Sequence, residues 1–393
     1  MIERSLFPPL TAGIRRGIED LLLAIDKTFP LKRRFSAELP KNISRLSALL
    51  TKERSCLNGS YMSDPALFNA YLRCFMPWNV FRLSRLLPSL LLESWPPDGT
   101  GGGAGSGAGS VEITDLGSGP LTLPAALWIA LPELRSAPLS FHCVDQNGGA
   151  LEAGKKLFFA LAGENGAWRI KTYRAALGER LKLPPAALVC AVNVCNELFQ
   201  KVPQGDTASL ASAAKKFTRS LAGFADDSGR ILVVEPGAPR PAQFLSLLRG
   251  EFIGRGFSIE APCPSSRGCA MRGGRRGQKW CHFNVDADDA PPALHKLSAA
   301  AALPKEKVTL SFLLASKKAA TGDGAPEFLN VRVISDAFPL SAGMTGRYAC
   351  SENGLTLLRG GFAEKYRQGS FFQTETPDKI TRDTKTGAFI LTP

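Results

Sequence analysis

The chain has 393 residues, 44% of them hydrophobic, with 48 Lys and Arg against 35 Asp and Glu for a formal charge of +13. That length and apolar content suit two domains, or one large α/β domain with an appendage, and exclude a disordered chain. The excess of positive charge points to a polyanionic partner. Its scatter along the chain favours nucleic acid over a membrane surface, and no run of about eighteen apolar residues is present to span a bilayer.

From Gly13 to Phe29, the residues Ile14, Ile18, Leu21, Leu22 and Ile25 recur at helical spacing, which predicts an amphipathic helix. Ser63-Asp64-Pro65 reads as a helix start, with a capping side chain before a proline whose missing N–H costs nothing at the first helical position. This helix is expected to run to about Met76 and break at Pro77; another starts near Asn79 and ends before Trp95-Pro96-Pro97. Residues 1–97 thus read as a helical N-terminal region.

Residues 98–110 are almost pure Gly, Ala and Ser with no strand before them, so they read as a flexible linker, not a phosphate loop. From 111 to 393 short apolar runs alternate with helical segments. Strands are expected at 111–117, 139–145, 168–173, 188–194, 231–235, 308–314 and 331–334, with helices at 207–222 and 241–254 among others. The expectation is about seven strands in one mainly parallel sheet with helices on both faces.

Asp115-Leu116-Gly117-Ser118-Gly119-Pro120 sits where the first of these strands gives way to a helix. Glycines there let backbone approach a ligand, and the helix N-terminus offers unpaired N–H groups. Asp145 ends the next strand, where an acidic side chain reaches both hydroxyls of a ribose. The pattern resembles a class I S-adenosylmethionine-dependent methyltransferase with its Rossmann-like sheet. That likeness implies that Asp115, Gly117 and Gly119 line the methionine and ribose side and that Asp145 holds the ribose. Leu121 stands where the third glycine of that pattern is expected.

Methyltransferases acting on base amino groups share an Asn-Pro-Pro-aromatic stretch after the fourth strand. The corresponding segment here, Val192 to Leu198, has neither the prolines nor the aromatic. No catalytic residue is assigned. Cys195 has no adjacent cation to lower its pKa and reads as packing. Asn193, Asn196 and Glu197 are candidates for contact with the cofactor's methyl end or an acceptor, or for capping strand and helix ends.

Nine cysteines at uneven spacing do not form a secreted disulfide framework, which implies a reducing compartment. Cys56, Cys74, Cys143 and Cys190 lie in predicted helices or strands and read as core. Cys263, five residues, Cys269, eleven residues, Cys281 and then a long gap to Cys350 form a different set. The segment 259–285, closed by Cys350, reads as a cysteine-rich metal-binding insertion. A zinc ribbon needs two tight C-x-x-C knuckles, and neither is present. A cubane iron–sulfur cluster, whose irons take one thiolate each from separated segments, suits the spacing better; zinc is the alternative, and free thiols the third. His282 competes with Cys350 as fourth ligand but adjoins Cys281, so a local hydrogen bond is expected of it. His142 and His295 read as structural. Arg272, Arg275, Arg276 and Lys279, between the second and third cysteines, are candidate RNA contacts.

Several stretches resemble the Rsm22 family, a small-ribosomal-subunit family that takes in mitochondrial methyltransferase-like protein seventeen and bacterial relatives. They are Arg45-Leu46-Ser47 with Thr51 and Arg54, Tyr61 with Asp64-Pro65, Ala70-Tyr71-Leu72, Met76-Pro77 and Asn79. Later come Glu235-Pro236-Gly237, Ala261-Pro262-Cys263-Pro264, Trp280-Cys281-His282-Phe283, and Cys350 with Gly354. The chain departs from the family at Cys269-Ala270, where Cys-Pro is usual, and lacks a Trp-Gly-Asp after Tyr366. The resemblance implies a methyltransferase-like protein that binds small-subunit ribosomal RNA and helps assemble or complete the small subunit, with a four-cysteine [4Fe–4S] cluster holding its C-terminal part. The family-like helical region begins almost at Met1, which leads to the expectation of a cytoplasmic bacterial protein; a monomer is expected. A working RNA methyltransferase and a redox or iron-sensing protein are the competing expectations.

Overall fold

The structure, a computed structural model, describes residues 4–51, 61–91, 110–164, 166–199, 202–272, 279–317, 328–377 and 381–392. The expected linker, apart from Ser110, lies outside the described residues, as does Cys56. The chain divides into two compact units, one of residues 8–201 and 285–308, the other of residues 1–7, 202–284 and 309–393.

In the first unit the predicted N-terminal helix is Ala12–Thr28, begun by Thr11, whose hydroxyl accepts from the Ile14 N–H. Its buried side carries Ile14, Ile18, Leu21 and Ile25, as the spacing requires. Gly17 lies against Ile129, where a Cβ would come within 2.9 Å of that side chain. A second helix, Arg33–Thr51, follows. Asp64 then caps Pro65–Ala70 by accepting from the N–H groups of Ala66 and Leu67.

The expected break at Pro77 is corrected: the helical path runs on to Leu91. Pro77 has no N–H for the Arg73 carbonyl, and the preceding turn widens to accommodate it. Tyr71–Phe75 is a π-turn, with the Met76 N–H reaching back to the Tyr71 carbonyl. The helix Met76–Leu91 is buried on nearly every side, its two arginines included. Trp78 donates from its indole to Ser298 Oγ at 2.8 Å, and Arg85 meets Asp289 at 2.6 Å.

Four parallel strands of this unit lie in the order Arg169–Arg174, Leu139–Asp145, Val111–Leu116, Ala186–Val192. By chain position that is 3-2-1-4, the order of a doubly wound, Rossmann-like sheet. Ala186–Val192 is buried at every position, which explains its unbroken apolar run. Thr122–Ala130 and Gly148–Ala162 are the crossover helices. His142 bridges three strands, with Nε2 2.6 Å from Glu112 and Nδ1 3.0 Å from the Tyr173 hydroxyl.

In the second unit Ala225–Pro236, Lys307–Ser316 and Ser258–Ala261 pair antiparallel in that order, and Phe283–Asp286 also pairs with Lys307–Ser316. The helices Thr207–Phe224 and Pro239–Ile253 pack on each other. A separate sheet has the order Arg4–Ser5, Ser370–Glu375, Phe328–Val333, Thr345–Ser351, Gly354–Arg359, Phe389–Leu391, antiparallel except at its last pair. Val331, Val333, Leu358, Tyr366, Phe372 and Phe389 form its core. The expectation of one sheet is corrected here, because the strand predicted at 331–334 belongs to this separate sheet. Period-two alternation identifies a strand without naming its partner.

Candidate functional site

After Leu116 the chain turns through Gly117 to Pro120 into the helix Thr122–Ala130. Gly117 has φ +73, and a Cβ there would stand 2.2 Å from Val194 Cγ2. Glycine is therefore required where the turn after the first strand meets the segment after the fourth. Gly119, φ +52, has nothing within 4 Å of where its Cβ would stand. An open cradle thus lies outside the carboxyl ends of the strands, where the strand order reverses and α/β sheets take their ligands. Leu121 adopts the left-handed conformation itself, φ 58, while fully buried. The backbone keeps the geometry of the missing third glycine, at a cost of about 1–2 kcal/mol. Gly154 of the second crossover helix presses on the turn, where a Cβ would lie 2.4 Å from the Pro120 carbonyl carbon.

Asp145 holds this turn from the end of the neighbouring strand. Its Oδ2 accepts the Gly119 N–H at 2.8 Å and its Oδ1 accepts the Asn147 N–H at 2.8 Å. Each oxygen keeps a second lone pair for a ligand hydroxyl. Asp115 is 1% exposed; its Oδ2 accepts from the Ser118 hydroxyl at 2.6 Å, and its Oδ1 is buried with no hydrogen-bond partner. An orphaned acceptor beside an open cradle fits a ligand that brings a donor or a positive charge. Burial pushes Asp115 up to about 7, with nearby Asp145 adding and the Ser118 hydrogen bond opposing. Cys143 and Cys190 flank Asp115 in register on the two adjacent strands, fully buried, with thiol pKa values raised by that burial. They pack, as expected of them, and so does the fully buried Cys195.

The helical region contributes neighbours to this turn that sequence reasoning missed. Tyr71 lies by Thr122, Asn79, Asp145 and Arg82, and burial pushes its pKa up. Arg82 is 9% exposed and donates to Asn79 Oδ1 at 2.5 Å and to Asn193 Oδ1 at 3.1 Å. Asn193, just past the fourth strand with φ 57, therefore has its amide oxygen engaged from within the chain. At the rim, Gln146 donates to Glu197 at 3.2 Å. Tyr71 and Asn79 stood among the residues that carried the family resemblance, but nothing in their spacing gave them a role. Arg82 could have been noticed as one of two cations, with Arg85, on a largely apolar helix.

The second unit brings Cys263, Cys269, Cys281 and Cys350 together. Each lies close enough to act electrostatically on the other three, and none is in a disulfide. Cys263 and Cys269 follow the strand Ser258–Ala261, and the Cys281 carbonyl accepts from Ser311 Oγ at 2.7 Å. Cys350 lies in the strand Thr345–Ser351, opposite Arg332 on one side and Leu355 on the other. Burial, and then the neighbouring cysteines, push the thiols of Cys281 and Cys350 well above the ordinary range. Burial also raises Cys263, against the pull of Arg249.

Two buried cations, also missed from sequence, border the cysteines. Arg249 is 6% exposed and donates to Cys263 Sγ at 3.2 Å, to the Ser265 carbonyl at 2.8 Å and to the Arg267 carbonyl at 2.6 Å. Arg332 is 8% exposed and donates to the carbonyls of Pro262 at 3.2 Å and Gly369 at 2.7 Å. Burial brings Arg332 down to about 10, with Cys263 pulling it back up. Among the described residues no three His, Cys, Asp or Glu side chains are arranged to hold a metal ion. Four gathered thiols are nevertheless the donor set of a group that takes one thiolate at each of four separated corners.

His282 donates from Nδ1 to the Trp280 carbonyl at 3.2 Å, the local bond expected of it. Arg272 donates to the Cys269 carbonyl at 3.2 Å, and Lys279 Nζ lies 4.2 Å over the Tyr348 ring. Arg275 and Arg276 lie outside the described residues. Among the described residues no helix is long and apolar enough to cross a membrane.

A family model described as "Mitochondrial small ribosomal subunit Rsm22" matches residues 111–374. No curated protein matches the chain. Among solved structures, a putative class I S-adenosylmethionine-dependent methyltransferase from Listeria monocytogenes is 13% identical, with a TM-score of 0.38, over 80% of this chain and 90% of that one. Magnesium protoporphyrin IX methyltransferase from Synechocystis PCC 6803, with bound SAH, is 11% identical, with a TM-score of 0.32, over 53% of this chain and 75% of that one. TrmN from Thermus thermophilus is 14% identical, with a TM-score of 0.29, over 53% and 45%. The Rossmann-like assignment stands on the strand order above, independent of these distant likenesses.

Because Asp115 is raised from 3.8 to about 7 on folding, the folded chain keeps a proton that the unfolded chain releases. That contribution to stability is present below about pH 4 and is lost as pH rises towards 7, an effect on the order of 4 kcal/mol. Asp115→Asn is expected to flatten the fall of the urea midpoint between about pH 4 and pH 7. A variant with the wild-type slope would place the ionisation elsewhere.

Proposed function

The chain belongs to the Rsm22 small-ribosomal-subunit family, and from that premise we propose that it is an S-adenosylmethionine-binding, methyltransferase-like protein that binds small-subunit ribosomal RNA. It assists assembly of the small subunit or translation, and its C-terminal part is held by a four-cysteine iron–sulfur cluster. It works as a monomer in the bacterial cytoplasm, with residues 1–97 as a helical region and 111–393 as the methyltransferase-like part.

The observation that carries the cofactor reading is the bond from the Gly119 N–H to Asp145 Oδ2 at the edge of an open cradle. Asp145 keeps lone pairs for the ribose hydroxyls, and Asp115 Oδ1 offers an unmet acceptor to the ammonium of the methionine part. S-adenosylmethionine supplies a methyl group activated by its sulfonium. Binding is preferred to catalysis because Asn193, the side chain best placed after the fourth strand to meet an acceptor, is held by Arg82.

The RNA reading is supported by the charge of +13. Arg272, Arg275, Arg276 and Lys279 are its proposed phosphate contacts. A cluster is preferred to zinc because the four cysteines come from separated segments and lack the paired C-x-x-C knuckles of a zinc ribbon.

Asp145→Ala is expected to abolish S-adenosylmethionine binding in calorimetry while circular dichroism stays unchanged; retained affinity in the folded variant would refute the ribose role. Arg275→Ala with Arg276→Ala is expected to weaken binding to a small-subunit RNA fragment and to make its salt dependence shallower, by a slope of roughly one per lost phosphate contact. Equal affinity and slope would exclude the loop as a contact.

A further inference from the structure

A guanidinium taken out of water costs several kcal/mol unless something negative meets it, and in proteins that is usually a carboxylate. Elsewhere in the same unit Arg230 meets Glu260 and Arg359 meets Asp383. Arg249 and Arg332 are among its most buried cations, and among the described residues no carboxylate is a hydrogen-bond or ion-pair partner of either. Arg249 spends its donors on one cysteine sulfur and two carbonyls; Arg332 spends its donors on two carbonyls and lies 4.9 Å over the Phe371 ring. Both act electrostatically on Cys263. Four neutral thiols would leave these charges uncompensated, whereas four thiolates on a cubane of charge +2 leave a net charge of about minus two.

The attachment points are as specific as the charges. Arg249, from the helix Pro239–Ile253, pins the stretch from Cys263 to Arg267. Arg332 lies opposite Cys350 in the strand register and grips the Pro262 carbonyl, one residue before Cys263. One cation therefore fixes the loop just after its first cysteine. The other ties the residue before that cysteine to the strand beside Cys350.

We propose that Arg249 and Arg332 are positioning residues for a dianionic four-thiolate cluster, balancing its charge and fixing Cys263 relative to Cys350. The inference rests on the iron–sulfur reading above and adds to it the source of the counter-charge. Removing either cation leaves a further electron harder to accept, because that electron takes the centre from two negative charges to three. Loss of the Arg249 fork also frees the loop, so the cluster is reached sooner by oxygen.

The test uses the full chain purified without oxygen, comparing wild type with Arg249→Gln, Arg332→Gln, Arg249→Lys and Arg332→Lys. Iron and acid-labile sulfide are measured, then the midpoint potential by titration with dithionite, then the rate of bleaching in air. The Gln variants are expected to shift the midpoint to more negative potential and to bleach several-fold faster. Arg249→Lys is expected to restore the midpoint but not the lifetime, since it keeps the charge and loses the fork. Wild-type midpoints in both folded Gln variants would overturn the proposal. If the Gln variants lose iron outright, retention by the Lys variants supports the charge assignment and loss by them overturns it. Wild-type protein without iron and sulfide would overturn the iron–sulfur reading itself, an outcome separate from the behaviour of the variants.

Discussion

Charge removed from water without an ordinary partner is the constraint around which the cysteine-bearing unit is arranged. Arg249 and Arg332 are buried against carbonyls and a sulfur, and four thiols close enough to act electrostatically on one another are gathered beside them. The cations are unfavourable there for want of an anion, and the thiols do not ionise without a compensating charge. The proposed cluster would turn the thiols into thiolates and meet both needs at once. The strands around Cys350 and the helix that carries Arg249 then act as the frame that holds the two sets in reach.

A related economy governs the nucleotide-type turn. Asp145 does the work of a structural cap, accepting from Gly119, and keeps acceptor capacity for a ligand. Asp115 is left with one oxygen unmet in a buried place, an arrangement that raises its pKa and readies it for a donor. Strain is stored in the same few residues, since Leu121 and Asn193 both hold positive φ. Arg82 and Tyr71 come from the N-terminal helices, so the helical region reaches Asn193 and the neighbourhood of Asp145.

Much of this was legible in the sequence, and the reasons differ by element. The helix Ala12–Thr28 followed from spacing alone, because one apolar stripe has one way to be buried. The turn at Gly117 and Gly119 followed from residues whose positive φ few others tolerate. Pro77 misled because a proline removes one hydrogen bond without dictating how the neighbouring turn responds, and here a π-turn absorbs the loss. The strand Phe328–Val333 was visible but its sheet was not, since pairing is decided by distant segments. Arg82, Arg249 and Arg332 escaped notice because a lone arginine in an apolar run looks the same in sequence whether it reaches solvent or is sealed inside.

The most direct test of the account is the iron, zinc and acid-labile sulfide content of the wild-type chain purified without oxygen, read together with its visible absorption. The account predicts a brown protein with about four irons and four sulfides per chain and a broad band in the visible blue. A colourless protein with a single zinc, or with no metal and four free thiols, would contradict it.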